Sequence, residues 1–253
     1  MQVISVNIQK GGSGKTTTVQ VLAEMLSKEH QKKVLCIDTD PQCNLTSVSS
    51  IDVLKTQEQN LHRLLEGKAT VDECIFPSKY YDIIPGSMLL ASADTEFLSM
   101  GRYQMIKEIL EPVSDQYDFC IIDTPPALGV LNLMSLTASD KVLIPTECSV
   151  LAMIGLKQLQ NTILDVRKHT NPNLELMGIL VVRYSNRATI NREIYDSLQS
   201  IAEGMGTKVF DTKVREISKI KEAQAQFTPI LDYAKGCAAV QDYSAFLEES
   251  KLL

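Results

Sequence analysis

Short, uniformly apolar runs alternate with amphipathic stretches along this chain. Residues 3–8, Val-Ile-Ser-Val-Asn-Ile, predict a strand, and a glycine-rich turn follows. From Lys15 to Lys28 the apolar positions Val19, Leu22, Ala23 and Leu26 fall at the i, i+3, i+4, i+7 spacing of one helix face. Further strands are predicted at Lys33–Asp38, Tyr117–Asp123, Lys141–Pro145 and Leu176–Arg183, each of the first three followed by a turn or helix pattern. Strands apolar on both faces and separated by helices indicate a mainly parallel, doubly wound α/β sheet with helices on both sides. With no internal repeat and no linker rich in Pro, Gly or Ser, the 253 residues are expected to form a single domain, 1–253.

Composition removes several function classes. With 44% hydrophobic and 22% charged residues this is an ordinary globular balance. No apolar run approaches the ~18 residues of a membrane-spanning helix, and the first residues lack the pattern of a secretory leader, so a cytoplasmic location is expected. The six cysteines are scattered without a closely spaced pair, which argues against a zinc or iron–sulfur cluster; Cys36 and Cys120 read as small core hydrophobes. A net charge of −6 excludes a general polycation that coats nucleic acid.

The chemistry begins directly after the first strand, at Lys10, Gly11, Gly12, Ser13, Gly14, Lys15, Thr16 and Thr17. The phosphate-loop pattern G-x-x-x-x-G-K-[ST] is met at Gly14, Lys15 and Thr16, but Gln9 stands where its first glycine would be. Glycines let backbone N–H groups wrap phosphate oxygens, and the helix start adds a positive dipole. Lys15 supplies a point charge to β- and γ-phosphates, and the Thr16 hydroxyl is a Mg²⁺ ligand. Three aspartates end strands: Asp38 and Asp40 in Asp-Thr-Asp-Pro-Gln-Cys-Asn, and Asp123 in Phe-Cys-Ile-Ile-Asp-Thr-Pro-Pro. Ligands of open α/β sheets bind beyond the carboxyl ends of strands, where these side chains lie. Asp123 has the setting of a carboxylate that holds Mg²⁺ through water, and a second carboxylate near the γ-phosphate can orient the attacking water.

The loop Lys-Gly-Gly-x-Gly-Lys-Thr-Thr, with its extra Lys10, is the deviant Walker A motif and resembles the ParA/Soj-type partition ATPases of the MinD/ParA superfamily of P-loop NTPases. Asp38 to Asn44 is similar to the ParA switch I segment, with Cys43 where Gly or Ala is usual; Asp123 to Pro145 is similar to switch II and the next strand; and Leu151 to Leu159 resembles the dimer-interface helix. Similarity is strong over about residues 1–185 and looser beyond. The resemblance implies an ATPase of slow turnover that uses ATP and Mg²⁺. Lys15 and Asp40 would be catalytic, Asp40 positioning water while Thr16, Asp38 and Asp123 serve the metal. Lys10 would reach across an ATP-dependent homodimer to the partner's nucleotide. It further implies non-specific DNA binding, release by a ParB-like centromere-binding protein, and plasmid or chromosome partition from a nucleoid-associated state.

The family's adenine-bracketing proline loop is missing here, where the equivalent stretch is Phe210 to Glu216; Arg183, Asp211 and Thr212 are the candidate base contacts. No helix-turn-helix region precedes the phosphate loop, so operator binding is not expected. The segment from Lys208 to Lys221 carries a surplus of three positive charges, with Lys213, Arg215, Lys219 and Lys221 as candidate DNA contacts. MinD-like relatives end in a basic amphipathic helix, whereas residues 241–253 hold three acids and one lysine, which anionic lipid repels. A MinD-like membrane regulator, a positioner of non-DNA cargo, and a metabolic P-loop enzyme of the nitrogenase iron protein or dethiobiotin-synthetase type are the alternatives. The nitrogenase type needs paired cysteine ligands that this chain lacks.

Overall fold

A computed structural model of the chain describes residues 1–97, 102–184 and 190–252. In chain order the elements are β1 (Gln2–Val6), α1 (Lys15–Lys28), β2 (Val34–Asp38), α2 (Asn44–Val48), α3 (Leu61–Leu65), β3 (Phe76–Pro77), β4 (Asp82–Ile84), α4 (Ala93–Phe97) and α5 (Met105–Leu110). There follow β5 (Phe119–Asp123), α6 (Val130–Ala138), β6 (Lys141–Thr146), α7 (Val150–His169), β7 (Glu175–Tyr184), α8 (Ile190–Gly204), β8 (Val209–Arg215), α9 (Ser218–Ala225), α10 (Ile230–Tyr233) and α11 (Ala238–Ser250). The strands form one sheet in the order β3-β4-β2-β5-β1-β6-β7-β8, parallel throughout except for the short edge strand β3.

Alternation along each strand divides the core between two faces. Ile4, Val6, Cys36 and Ile121 point to the layer of α1, α9, α10 and α11. Val3, Leu35, Ile37, Cys120 and Ile122 point instead to the layer of α3, α5 and α6. A third cluster joins β6 and β7 to α7 and α8 through Val142, Ile144, Leu156 and Leu159. The doubly wound α/β architecture expected from the apolar runs is therefore present. Cys36 and Cys120 are buried and free, as their apolar setting predicts.

Helix α1 has the predicted bounds, and Val19, Leu22, Ala23 and Leu26 are fully buried. It is covered more widely than one face, since Thr18, Gln20, Val21, Glu24 and Met25 are buried too. Three strands were not readable from apolar runs, the first being β3 with two residues. Strand β4 has only three residues, and β8 alternates buried Phe210 and Val214 with exposed or half-buried charges. An edge strand buries one face only, so β8 reads as polar.

The order matters for the site because the chain leaves the central strand β1 and turns into α1 between neighbours reached from opposite sides. That switch point opens a crevice at the carboxyl ends of the strands. Strand register places Asp38 directly beside Asp123, and Val6 beside Asp123 on the other side. Two carboxylates thus lie side by side below the loop that links β1 to α1.

Candidate active site

The loop from Gln9 to Gly14 closes with Gly12 and Gly14 at φ 71° and 83°, in the left-handed region that only glycine enters cheaply. Gly14 is also the N-cap of α1, and a Cβ there would stand 3.2 Å from Val182 Cγ2. Glycine is thus required twice over at that position. The open N-terminus of α1 faces a cavity of about 410 Å³ lined by Gly11, Gly12, Ser13, Gly14, Lys15, Thr16 and Thr17. Asp40 of the loop after β2 and Arg183 at the end of β7 also line it.

Lys15 is 7% exposed and curls back over the loop, donating to the carbonyls of Lys10 at 3.2 Å and Ile8 at 3.5 Å. Burial lowers its pKa, while Asp123 and Asp40 work to keep it charged. Thr16 Oγ1 donates to Asp123 Oδ2 at 2.6 Å. Asp38 accepts from the backbone N–H of Thr46 at 2.8 Å, from the Thr46 hydroxyl at 2.7 Å and from the N–H of Asp40 at 3.1 Å. Asp38 accordingly fixes the path of the chain from β2 into α2, and its carboxylate is committed to that task. Asp40 accepts from the N–H of Gln42 at 2.9 Å, an aspartate turn ahead of α2.

Burial raises the carboxyl of Asp123 to about 8, with the neighbouring Asp38 adding to the rise and Thr16 and Lys15 opposing it. Burial likewise raises Asp38, against its hydrogen bonds to Thr46. Asp123 Oδ1 is buried and has no hydrogen-bond partner. A buried, unsatisfied carboxylate oxygen next to a threonine hydroxyl fits a hard, oxygen-seeking cation such as Mg²⁺. Among the described residues no group of three or more His, Cys, Asp or Glu side chains could hold a metal alone. Phosphate oxygens and water would therefore complete the coordination of such an ion.

Lys10 does not line the cavity. Its ammonium pairs with Glu147 Oε2 at 2.7 Å, and Arg183 reaches Glu147 Oε1 at 3.0 Å. Ser149, the N-cap of α7, is a weaker partner of Lys10 at 3.4 Å. Just beyond, Val150, Leu151 and Ile154 of α7 are 60%, 68% and 55% exposed. Lys10 and the exposed apolar start of α7 thus meet at the turn Glu147–Ser149, which Arg183 ties to the cavity. Glu147 was missed in the sequence, although it follows the carboxyl end of β6, the same position that singled out the aspartates.

The base and DNA candidates divide. Arg183 lines the cavity and also a smaller neighbouring one of about 50 Å³, formed with Val214, Arg215, Glu216, Ile217, Lys221, Gln224 and Tyr243. Asp211 and Thr212, the other candidate base contacts, line neither cavity. They lie part-way along β8, where their backbone N–H groups donate to Glu249 of α11 at 2.8 and 3.0 Å. Of the basic residues, Arg215 pairs with Asp242 at 2.6 Å, Lys221 pairs with Glu216 at 2.7 Å, and Lys213 stacks on the Tyr195 ring at 3.9 Å. Lys219 is exposed and has no ion pair among the described residues. Asp242 and Glu249, distant in sequence, fold onto this segment and reduce its surplus of positive charge from three to one.

A family model described as an AAA domain matches residues 1–176. The chain is 35% identical over 235 residues to the sporulation initiation inhibitor protein Soj of Bacillus subtilis, covering 92% of this chain and 91% of that protein. It is 33% identical over 244 residues to the chromosome-partitioning ATPase Soj of Treponema pallidum, covering 95% and 93%. Among solved structures, cobyrinic acid a,c-diamide synthase from Mycobacterium smegmatis, bound to an ATP analogue and magnesium, superposes with a TM-score of 0.86 at 30% identity, covering 98% of this chain and 93% of that one.

Proposed function

We propose that this chain, which belongs to the ParA/Soj family of partition ATPases, is an ATP-gated switch that grips DNA as a dimer and lets go on hydrolysis. The observation that carries the reading is Lys10. A phosphate loop has one lysine for its own nucleotide, Lys15, whereas Lys10 does not line the cavity and pairs with Glu147, just ahead of exposed Val150, Leu151 and Ile154. A second protomer that buries this patch receives Lys10 at its own nucleotide, so ATP becomes part of the interface.

Within one protomer, backbone N–H groups from Gly11 to Thr17 and the start of α1 hold the phosphates, and Lys15 offsets their charge. Thr16 and Asp123 would hold Mg²⁺, which when bound would neutralise charge developing on the phosphates. Asp38 holds the loop that carries Asp40. Asp40 orients the water that attacks the γ-phosphate, and the act is one of position more than of basicity. A partner protein that presses on this loop accelerates the step and frees the dimer. Slow unassisted turnover suits a switch, because both states must persist.

Gripping DNA is the finer part of the reading. Lys219 is free to meet a phosphate, and dimerisation doubles that contact, but Arg215 must first exchange Asp242. That internal pairing favours, as a second reading, a dimer that holds a cargo surface other than DNA. A membrane surface is disfavoured because α11 buries its apolar side, with Tyr243, Phe246 and Leu247 packed into the core.

The test is binding to unrelated duplex DNA with ATP, ADP or no nucleotide at two salt concentrations, with Asp40→Ala trapping the ATP state. ATP-only, salt-sensitive binding lost in Lys10→Ala is the expected result. No binding by a trapped protein shown to be dimeric replaces DNA with another surface.

A further inference from the structure

Helix α1 contains two polar side chains in an unexpected place. Gln20 and Glu24 are each 1% exposed. One turn apart, they are joined by a hydrogen bond from Gln20 Nε2 to Glu24 Oε1 at 3.0 Å. The Glu24 carboxylate also accepts from the backbone N–H groups of Ile230 at 3.1 Å and Leu231 at 2.8 Å, where α10 begins. In the other direction Gln224 of α9 donates through Nε2 to Gln20 Oε1 at 3.1 Å and to Thr17 Oγ1 at 3.2 Å. Thr17 and Gln224 both line the large cavity. An unbroken chain of side chains therefore runs from a buried carboxylate to the phosphate loop.

This chain has a direction. An ionised carboxylate accepts and never donates, so above about pH 7 Gln20 must turn its amide NH₂ toward Glu24. Its carbonyl oxygen is then left for Gln224, which must present its own NH₂ to both Gln20 and Thr17. The Thr17 hydroxyl accepts from Gln224 and keeps its own hydrogen for the cavity. Phosphate oxygens only accept, and a hydrogen bond to a charged group is stronger than a neutral one.

We propose that Glu24 is a positioning residue for nucleotide binding: through Gln20 and Gln224 it sets the Thr17 hydroxyl to donate toward the phosphates. The proposal rests on the ATP reading above. It goes beyond that reading by placing a determinant of affinity in the core, out of reach of the nucleotide. A carboxylate that served only to cap α10 would hold the same two backbone N–H groups without any effect on Thr17.

Glu24→Gln leaves one oxygen where two served α10 and Gln20. Where its NH₂ takes the place of Oε1, it faces Gln20 and gives up the Ile230 N–H, while the oxygen still accepts from Leu231. Both downstream amides then turn over, and the Thr17 hydrogen points to Gln224 instead of the cavity. The affinity for a non-hydrolysable ATP analogue with Mg²⁺, measured by calorimetry, should fall about tenfold, the worth of one hydrogen bond to a charged acceptor. The swapped variant Gln20→Glu with Glu24→Gln returns a carboxylate to the chain, restores the orientation of Gln224, and should bind within about twofold of wild type. Wild-type affinity in Glu24→Gln overturns the proposal, as does a folded swap that stays as weak as the single variant. If Glu24→Gln fails to fold, the pair Thr17→Val and Gln224→Met gives the answer from the accessible end. Non-additive losses support the chain, and additive losses overturn it. A wild-type protein that does not bind the analogue overturns the ATP reading itself, an outcome visible before any variant is made.

Discussion

Gly155 stands in the middle of α7, where glycine costs a helix about 1 kcal/mol relative to alanine. The helix propensity scale alone makes Gly155→Ala a stabilising change. The structure reverses the expected sign. A Cβ at this buried position would lie 2.8 Å from the backbone carbonyl oxygen of Gln9, closer than Cβ atoms are found. Both sides of the contact are backbone, one in a 20-residue helix and the other leading directly into the phosphate loop, so neither can swing aside as a side chain would. Overpacking of this kind costs about 1–3 kcal/mol, which leaves a net loss of about 1 kcal/mol after the gain in propensity. For a chain of this size that lowers the unfolding midpoint by about 2–4 °C. The same displacement moves Lys10 and Gly11, and a tenfold loss of nucleotide affinity removes about 1.4 kcal/mol of ligand stabilisation at saturation. Thermal unfolding with and without Mg²⁺ and a non-hydrolysable ATP analogue measures both effects. The midpoint of Gly155→Ala should fall without nucleotide, and the gap between free and bound should narrow. A midpoint that rises, with the gap intact, refutes the reasoning and shows that α7 lies on the loop without touching it closely.

Thr16→Val keeps the shape of the side chain but leaves Asp123 Oδ2 without its 2.6 Å donor, so the free protein should lose about 1–3 kcal/mol in urea unfolding and Mg²⁺ should no longer tighten nucleotide binding. Burial holds Glu24 at about 7, above its value in an unfolded chain. A raised carboxyl contributes stability that is complete below the unfolded pKa and lost as pH rises through the folded one. The nucleotide-free protein should therefore weaken between about pH 5 and 8, and Glu24→Gln should remove up to about 3 kcal/mol of that slope. Arg215→Ala breaks an exposed, solvent-screened pair with Asp242 and should leave the urea unfolding midpoint nearly unchanged, which makes it a clean probe in the DNA assay. Lys10→Ala should leave the analogue's affinity for an isolated protomer within about threefold while abolishing the ATP-dependent dimer in sedimentation, because Lys10 does not line its own cavity and is held by Glu147.

The fold was readable where burial on both faces made strands continuously apolar, as at Val34–Asp38 and Phe119–Asp123. It was unreadable at β8, whose Lys213 and Arg215 face partly outward on the sheet edge. The phosphate loop and its aspartates were legible because their spacing follows from local geometry: a glycine at φ 83° before the lysine, and carboxylates at neighbouring strand ends. The base contacts and the basic patch were not legible in the same way. Their surroundings come from α11, whose Asp242 and Glu249 arrive from about 30 residues further on and capture Arg215 and the amides of Asp211 and Thr212. Glu24 shows the same limit from inside a correctly predicted helix. It lies off the face made by Val19, Leu22, Ala23 and Leu26, and α10 covers it from about 200 residues further on.

The electrostatics of the crevice give these separate features one logic. Asp38 and Asp123 lie side by side in register, both fully buried and both raised by that burial, and Asp123 adds to the strain by leaving one oxygen unsatisfied. Among the described residues Lys15 is the one buried cation, and its own burial works against its charge. Such a site is held by the surrounding core rather than by its own interactions. A bound divalent cation relieves the carboxylates, and phosphates relieve Lys15, so the Mg²⁺–nucleotide complex is matched to the whole site while either component alone answers only half of it. That coupling makes the metal and the nucleotide each raise the other's affinity for the crevice by the same factor.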